Sequence, residues 1–356
     1  MRALLLALAL LLRLGDVPAQ GVSGAGKPPP AFDHALLISV DGLRSDALIA
    51  QPPEALPAFA RLMTGAATLN ARTDPDYTVT LPNHTCMLTG RPVLGPLGHG
   101  WIENDDAPEG MTIAKNKGAY VAGIFDVAHD RGFRTAVFAG KSKFSLYDVS
   151  WNAQNGAADT TGDDQGKKKI DEYGFTEKLP EIADGALRNL KTGATKSLVF
   201  VHFAVTDLTA HYYGWDVTPG SKYLKAVAAV DHEIGRILDA IQADETLRGK
   251  TAVVLTADHG GGAPFKSHDQ TRMWVDYIIP FLVWTGDGGT ARELYALNPR
   301  TRADPGLNQV TSDSKAPLPP IRNGDSGNLV LALLGLPAIT GSTINAQQDL
   351  RVFPEH

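Results

Sequence analysis

Five apolar runs constrain this chain most strongly: HALLISV ending at Val40, RTAVFAGK at Lys141, SLVFVHFAV at Val205, TAVVLTA at Ala257 and YIIPFLVW at Trp284. Their Val, Ile, Leu and Phe residues follow one another without the strict polar alternation of a half-exposed strand. Such runs suit strands buried on both faces, which means a largely parallel sheet covered by helices. Helical patterns stand between them, in PEALPAFARLMTG, AGIFDVAHDRG and YLKAVAAVDHEIGRILDAIQ. The pattern predicts one doubly wound α/β domain with a single central sheet. With 356 residues, 43% of them hydrophobic, the chain can fill a core of that size.

The N-terminus begins with a positive charge, continues with an apolar run from Ala3 to Leu12, and reaches a Val17-Pro18-Ala19 sequence that suits signal peptidase. We read residues 1–19 as a signal peptide, which places the mature chain in a periplasm or outside the cell. A retained anchor is the weaker reading, because the run is too short to span a bilayer. Residues 20–31, rich in Gly and Pro, read as a flexible linker. The catalytic α/β domain is then expected over 32–356. Cys86 is the lone cysteine, so no intramolecular disulfide can form and stability must come from packing and from bound metal. The formal charge of −6 disfavours nonspecific binding to nucleic-acid backbones.

Between Ser150 and Lys178 lies a polar stretch rich in Gly, Asp and Lys, expected to be an inserted loop or small cap over one edge of the sheet. A second irregular stretch runs from Asn298 to Asn323. The segment SGNLVLALLGLP reads as a last amphipathic helix with Asp325 or Ser326 as its cap.

In an open parallel sheet, function gathers at the carboxyl ends of the strands. There the chain is uniform: Asp41 follows the first run, Asp207 follows the third with His211 four residues on, and Asp258 and His259 follow the fourth. An Asp after a strand commonly caps the next turn, and a DxxxH pair is often an exposed hydrogen-bonded pair. Three strand ends carrying metal-type side chains at one edge favour a metal site instead. Asp and His suit Zn²⁺ or Mn²⁺.

The segments LLISVDGLRSDAL, YTVTLPNHTCMLTG, TDLTAH and TADHGG, in this order, resemble the alkaline phosphatase superfamily, and within it the nucleotide pyrophosphatase/phosphodiesterase branch. The resemblance implies two divalent metal ions, usually Zn²⁺. One would be held by Asp41, Asp258, His259 and the nucleophile's hydroxyl, the other by Asp207, His211 and a third histidine. In the phosphodiesterase pattern that histidine lies far downstream. Here only His268 and the terminal His356 follow His259; the short spacing of His268 is similar to that of the phosphoglycerate mutase relatives, and His268 is the expected ligand. His34, His129, His202 and His232 lie on helical or strand patterns and read as core or surface residues. His84 and His99 are expected to support the local fold.

The family's nucleophile precedes an apolar residue and Pro-Asn, which points to Thr80 in TLPN. Pro82 pre-sets a first helical turn, so this hydroxyl would sit at a helix N-terminus, where free N–H groups favour an alkoxide and an incoming phosphate. Coordination to a dication would lower its pKa. The bland alternative is an ordinary N-cap. Thr85 and Cys86 would point into packing, and the Asn83-His84-Thr85 sequon would be buried at the mouth of the site. By the family's pattern, Asn104 in HGWIEN is expected to hold nonbridging oxygens. Lys141 and Lys143 follow a strand on the active edge, where they could grip an anionic substrate or remain solvated.

Cys86 is followed by MLTGR, which lacks the proline of the sulfatase C/SxPxR motif. The 150–178 stretch is too small to be the inserted domain of a mutase. The substrate is expected to be a small phosphoester. The absence of an arginine beside Thr80 favours a diester, whereas Lys141 and Lys143 favour a monoester; a binding protein that kept the fold without turnover is the rival of another class.

Overall fold

Each of the five apolar runs forms a strand, and three further strands complete the sheet. In chain order they are β1 His34–Val40, β2 Ala66–Arg72, β3 Arg134–Ala139, β4 Glu172–Phe175, β5 Ser197–Phe203, β6 Thr251–Thr256, β7 Ile278–Trp284 and β8 Arg292–Glu293. The computed structural model describes residues 31–159, 166–262, 266–269, 273–286, 291–306 and 318–354. The proposed signal peptide, residues 20–30 of the linker and His356 lie outside them.

The eight strands form one sheet in the order β4-β3-β5-β1-β6-β7-β2-β8. β7 runs antiparallel to both its neighbours, and the other pairs are parallel. Every residue of β1, β5, β6 and β7 is buried, so these strands carry apolar side chains on both faces. The edge strand β4 is half-exposed. It arises from the polar 150–178 stretch and pairs parallel to β3.

Helices cover the sheet. The longest, Lys222–Ala243, buries Leu224, Val227, Ile234, Ile237, Leu238 and Ile241 at helical spacing, and Ser221 caps it by accepting the N–H of Leu224. It packs against the helices Pro57–Leu62, Leu179–Leu190 and Val205–Tyr213. Ile234 and Ile237 are fully buried, and truncating either to Ala would cost about 2–5 kcal/mol. The last helix spans Asp325–Leu333 after Gly324, with no side-chain cap. The expected cap is corrected: the Asp325 carboxylate turns back to Arg302 and the N–H of Arg322, and the Ser326 hydroxyl donates to the carbonyl of Asn323. Among the described residues no helix is long and apolar enough to cross a membrane.

Register brings the Asp residues together. Ser39 of β1 pairs with Thr256 of β6, so Asp41 and Asp258, each two residues further on, emerge side by side. Val40 pairs with Phe203 of β5, and the chain then enters the helix Val205–Tyr213, which carries Asp207 and His211. Gly42 lets these elements close on one another. Its φ is +65°, and a Cβ there would stand 3.1 Å from the Cβ of Asp207.

Candidate active site

The three carboxylates meet at the carboxyl edge of the sheet. The N–H of Gly42 donates to Asp258 Oδ1 at 3.0 Å, turning Oδ2 towards His259, whose Nε2 lies 3.1 Å away and also 3.5 Å from Asp41 Oδ1. His211 Nε2 lies 3.3 Å from Asp207 Oδ1, and His268 Nε2 lies 3.8 Å from the same oxygen. Asp41, Asp258 and His259 thus form one group that could hold a cation, and Asp207, His259 and His268 another. His259 joins both because its ring stacks on that of His268, with centroids 3.5 Å apart. His211 meets His268 edge-on, with ring centroids 5.2 Å apart, and lies at the rim, more exposed than the others.

The three histidines share one hydrogen-bonding arrangement. Nδ1 of His259 donates to the carbonyl of Gly260, that of His211 to Lys266 and that of His268 to Thr78. Each Nε2 is therefore left bare towards the carboxylates, as in ligand histidines whose far nitrogen is tied to a carbonyl. Among the described residues, Asp41 Oδ1, Asp207 Oδ1, Asp258 Oδ2 and His259 Nε2 are buried with no hydrogen-bond partner. Buried polar atoms are seldom left so. Four of them facing one another is what a cation site requires, and the donor set of carboxylate oxygens and imidazole nitrogens fits Zn²⁺ or Mn²⁺.

The carboxylates draw positive charge to this point. Burial alone would lower the pKa of His259, but the carboxylates around it, Asp258 foremost, raise it to about 9, so the ring would give up its Nε2 proton when a cation takes that place. Burial would push Asp41 upward, yet the charge of Lys141 and the hydrogen bond from His202 hold it well below the usual carboxylate range. Burial, then the adjacent His259, pushes His268 down to about 3, leaving it neutral with a free lone pair.

Thr80 opens the helix Thr80–Thr89 after an extended Val79, as Pro82 predicts. Its hydroxyl lies 3.4 Å from Lys141 Nζ, and that ammonium is also 2.7 Å from Asp41 Oδ2 and from Asp207 Oδ2. The neighbouring candidate nucleophiles are occupied elsewhere. The Thr78 hydroxyl donates to the carbonyl of His268 and that of Thr85 to Leu81, while burial, reinforced by Asp74, pushes the Cys86 thiol up. Asn83 of the sequon is fully buried and hydrogen-bonded to Tyr77, Thr73 and Asn323.

Asn104 Oδ1 accepts the N–H of Leu81 at 2.9 Å, which fixes its amide beside Thr80. Lys143 Nζ donates to the carbonyl of Asn104. Lys141 and Lys143 both face the site, so neither is a fully solvated lysine. His84 supports the helix start, with Nδ1 donating to the carbonyl of Thr80 and Nε2 accepting from Ser39. His99 caps a turn by accepting the N–H of Trp101. His34 bonds Ser197 within the core, and His232 lies beside Glu233 on the surface.

His202 is buried on β5, in line with the expected core role, and its Nε2 also reaches Asp41 Oδ2 at 2.8 Å. The signal for it lay in register: His202 pairs with Ser39, next to the end of β1, a relationship visible only once β1 and β5 are known to be neighbours.

Comparison with curated proteins gives no match. Among solved structures, a Vibrio parahaemolyticus protein of the alkaline phosphatase superfamily superposes with a TM-score of 0.56 at 12% identity, covering 92% of this chain and 74% of its own. Murine ectonucleotide pyrophosphatase/phosphodiesterase 5, an inactive variant in complex with AMP, has a TM-score of 0.51 at 15% identity, covering 90% and 100%. A protein solved with its substrate D-glucosamine-2-N,6-O-disulfate has a TM-score of 0.55 at 11% identity, covering 91% and 81%. These likenesses establish the alkaline phosphatase-like fold. The family model for type I phosphodiesterase/nucleotide pyrophosphatase matches residues 35–317, a span that includes every candidate residue from Asp41 to His268. The chain belongs to the type I phosphodiesterase/nucleotide pyrophosphatase family.

Proposed function

We propose that this phosphoester hydrolase cleaves phosphodiesters through a phosphothreonine formed on Thr80, with Asp41, Asp258, His259 and Thr80 holding one divalent metal ion and Asp207, His211 and His268 a second. The observation that carries the reading is the set of four unpartnered buried atoms on Asp41, Asp207, Asp258 and His259 beside a threonine at a helix start. When bound, Zn²⁺ or Mn²⁺ would supply the positive charge that favours the Thr80 alkoxide and the departing oxygen.

The chain's own groups do the rest. The Thr80 oxygen forms a bond to phosphorus as the bond to the leaving alkoxide breaks, the hydroxyl proton ending on the departing alcohol; the phosphothreonine keeps the diester's second substituent, and water then cleaves the Thr80 O–P bond, releasing a phosphomonoester and restoring the hydroxyl. The Asn104 amide and Lys141 are placed to donate to nonbridging oxygens, whose charge grows in the transition state. Leu208 and Tyr212 are exposed on the helix that carries Asp207 and His211. They offer an apolar surface for the second substituent of a diester.

A second reading, hydrolysis of phosphomonoesters, is favoured by one observation: Lys141 lies 3.4 Å from Thr80, where an added cation would suit a dianion. A sulfate ester is disfavoured because Thr80 and Cys86 lack the sulfatase motif. The N-terminal apolar run supports export, so the expected compartment is periplasmic or extracellular. The test is kcat/KM of the zinc-loaded protein for bis-p-nitrophenyl phosphate, p-nitrophenyl phosphate and p-nitrophenyl sulfate. Preference for the first supports the diesterase reading, preference for the second the monoesterase, and hydrolysis of neither phosphate contradicts both.

A further inference from the structure

His202 has a ring held from every side. Phe144 stacks on it with centroids 4.1 Å apart, and His84 meets it edge-on at 4.9 Å. Its Nδ1 faces the backbone N–H of Gly140 at 3.2 Å, a donor shared with the His202 carbonyl. Two N–H groups cannot point at one another, so Nδ1 is the bare nitrogen and the ring proton sits on Nε2. That proton points at Asp41 Oδ2, 2.8 Å away.

Asp41 Oδ2 is thus engaged by His202 and by Lys141, whereas Oδ1 has no hydrogen-bond partner and faces His259. The two contacts on Oδ2 differ in kind. An ammonium on a flexible stem supplies charge and follows the carboxylate wherever it turns. A clamped imidazole N–H supplies direction and sets which oxygen turns towards the metal side. The backbone that sets the tautomer is itself constrained: a Cβ on Gly140 would lie 2.8 Å from that of Ala204, so glycine lets the end of β3 approach β5 closely enough for its N–H to reach the ring.

We infer that His202 is a positioning residue for the metal centre, with the Gly140 N–H fixing its tautomer and its Nε2–H holding Asp41 so that Oδ1 alone is presented to the cation. The inference rests on the reading of Asp41 as a metal ligand. A ligand carboxylate left free to rotate must be ordered when the cation binds, so loss of the His202 donor is expected to weaken metal affinity by roughly 10–100-fold.

The experiment is a zinc competition titration against a chromophoric chelator, on the wild type, His202→Phe, His202→Gln and Asp41→Ala. His202→Phe keeps the aromatic packing without the donor, and His202→Gln restores an N–H of similar reach. The inference predicts weakened zinc binding in the Phe variant, with circular dichroism unchanged, and substantial recovery in the Gln variant. Wild-type affinity in the Phe variant, or equal weakness in both, would overturn it. If Asp41→Ala binds zinc as tightly as wild type, the ligand reading itself fails and the inference with it. If only Asp41→Ala weakens binding, the positioning role alone fails. Should the Phe variant not fold, the ¹⁵N spectrum of histidine-labelled wild type decides: the Nε2–H tautomer at His202 is expected, and an Nδ1–H tautomer contradicts the account.

Discussion

The ammonium of Lys141 lies 3.4 Å from the hydroxyl of Thr80, on the same side as its ion pairs with Asp41 and Asp207. A lysine held there touches both the proposed nucleophile and the groups proposed to bind metal, and its three donors can pass between carboxylates and the oxygens of a substrate. Replacing it by methionine keeps the stem and removes the charge. The expected result is a fall in kcat/KM of about 10–100-fold, larger for p-nitrophenyl phosphate than for bis-p-nitrophenyl phosphate, because the dianion gains more from the cation. Equal losses on the two esters would mean that Lys141 supports the site without reading substrate charge.

Asn104 is fixed through its carbonyl oxygen by the N–H of Leu81, which directs its amide into the site. Asn104→Ala is expected to lower kcat by about 10²-fold with little change in KM, the pattern of a donor used mainly in the transition state. Steady-state kinetics on either ester checks this, and an increase in KM alone would assign Asn104 to ground-state binding.

The atoms on Asp41, Asp207, Asp258 and His259 that are buried without hydrogen-bond partners cost stability unless a cation satisfies them. Zinc that binds the folded chain and not the unfolded one stabilises it by about 4 kcal/mol at a thousandfold excess over Kd, and its melting temperature rises accordingly. Differential scanning fluorimetry with zinc and then with a chelator tests this. An unchanged transition would remove the metal site from the account.

His99 lies away from the carboxylates, against Cys86 and Trp101, and burial lowers its pKa to about 3. In the unfolded chain it takes up a proton near 6.5, and in the folded chain it resists until far lower pH. The folded state therefore loses stability as pH falls from about 6.5 towards 3, by up to about 1.4 kcal/mol per pH unit for this one group. Urea unfolding at several pH values should show that slope, and His99→Gln should flatten it.

Much of this was legible in the chain. Continuous apolar runs marked the buried strands because a strand covered on both faces has no polar side to show, and Asp41, Asp207, Asp258 and His259 stood out because each closes or follows such a run. Pro82 marked the helix start at Thr80. The strands β2, β4 and β8 were not legible, since their side chains are only partly buried and their sequences carry little apolar pattern. The contact of His202 with Asp41 was not legible for a different reason. It comes from lateral pairing between β1 and β5, and strand order is a tertiary property that no local pattern reports. The cap of the last helix was misread because Asp325 is claimed by Arg302, a residue distant in sequence.

The proposed chemistry requires Thr80 to carry the phosphorus between the two steps. The direct measurement is acid quenching of the zinc-loaded protein during turnover of bis-p-nitrophenyl phosphate, followed by mass spectrometry of its peptides. One nitrophenylphosphoryl adduct is expected on the peptide containing Thr80, and its loss, together with turnover, in Thr80→Ala. An adduct on another residue, or full turnover by Thr80→Ala, would contradict it.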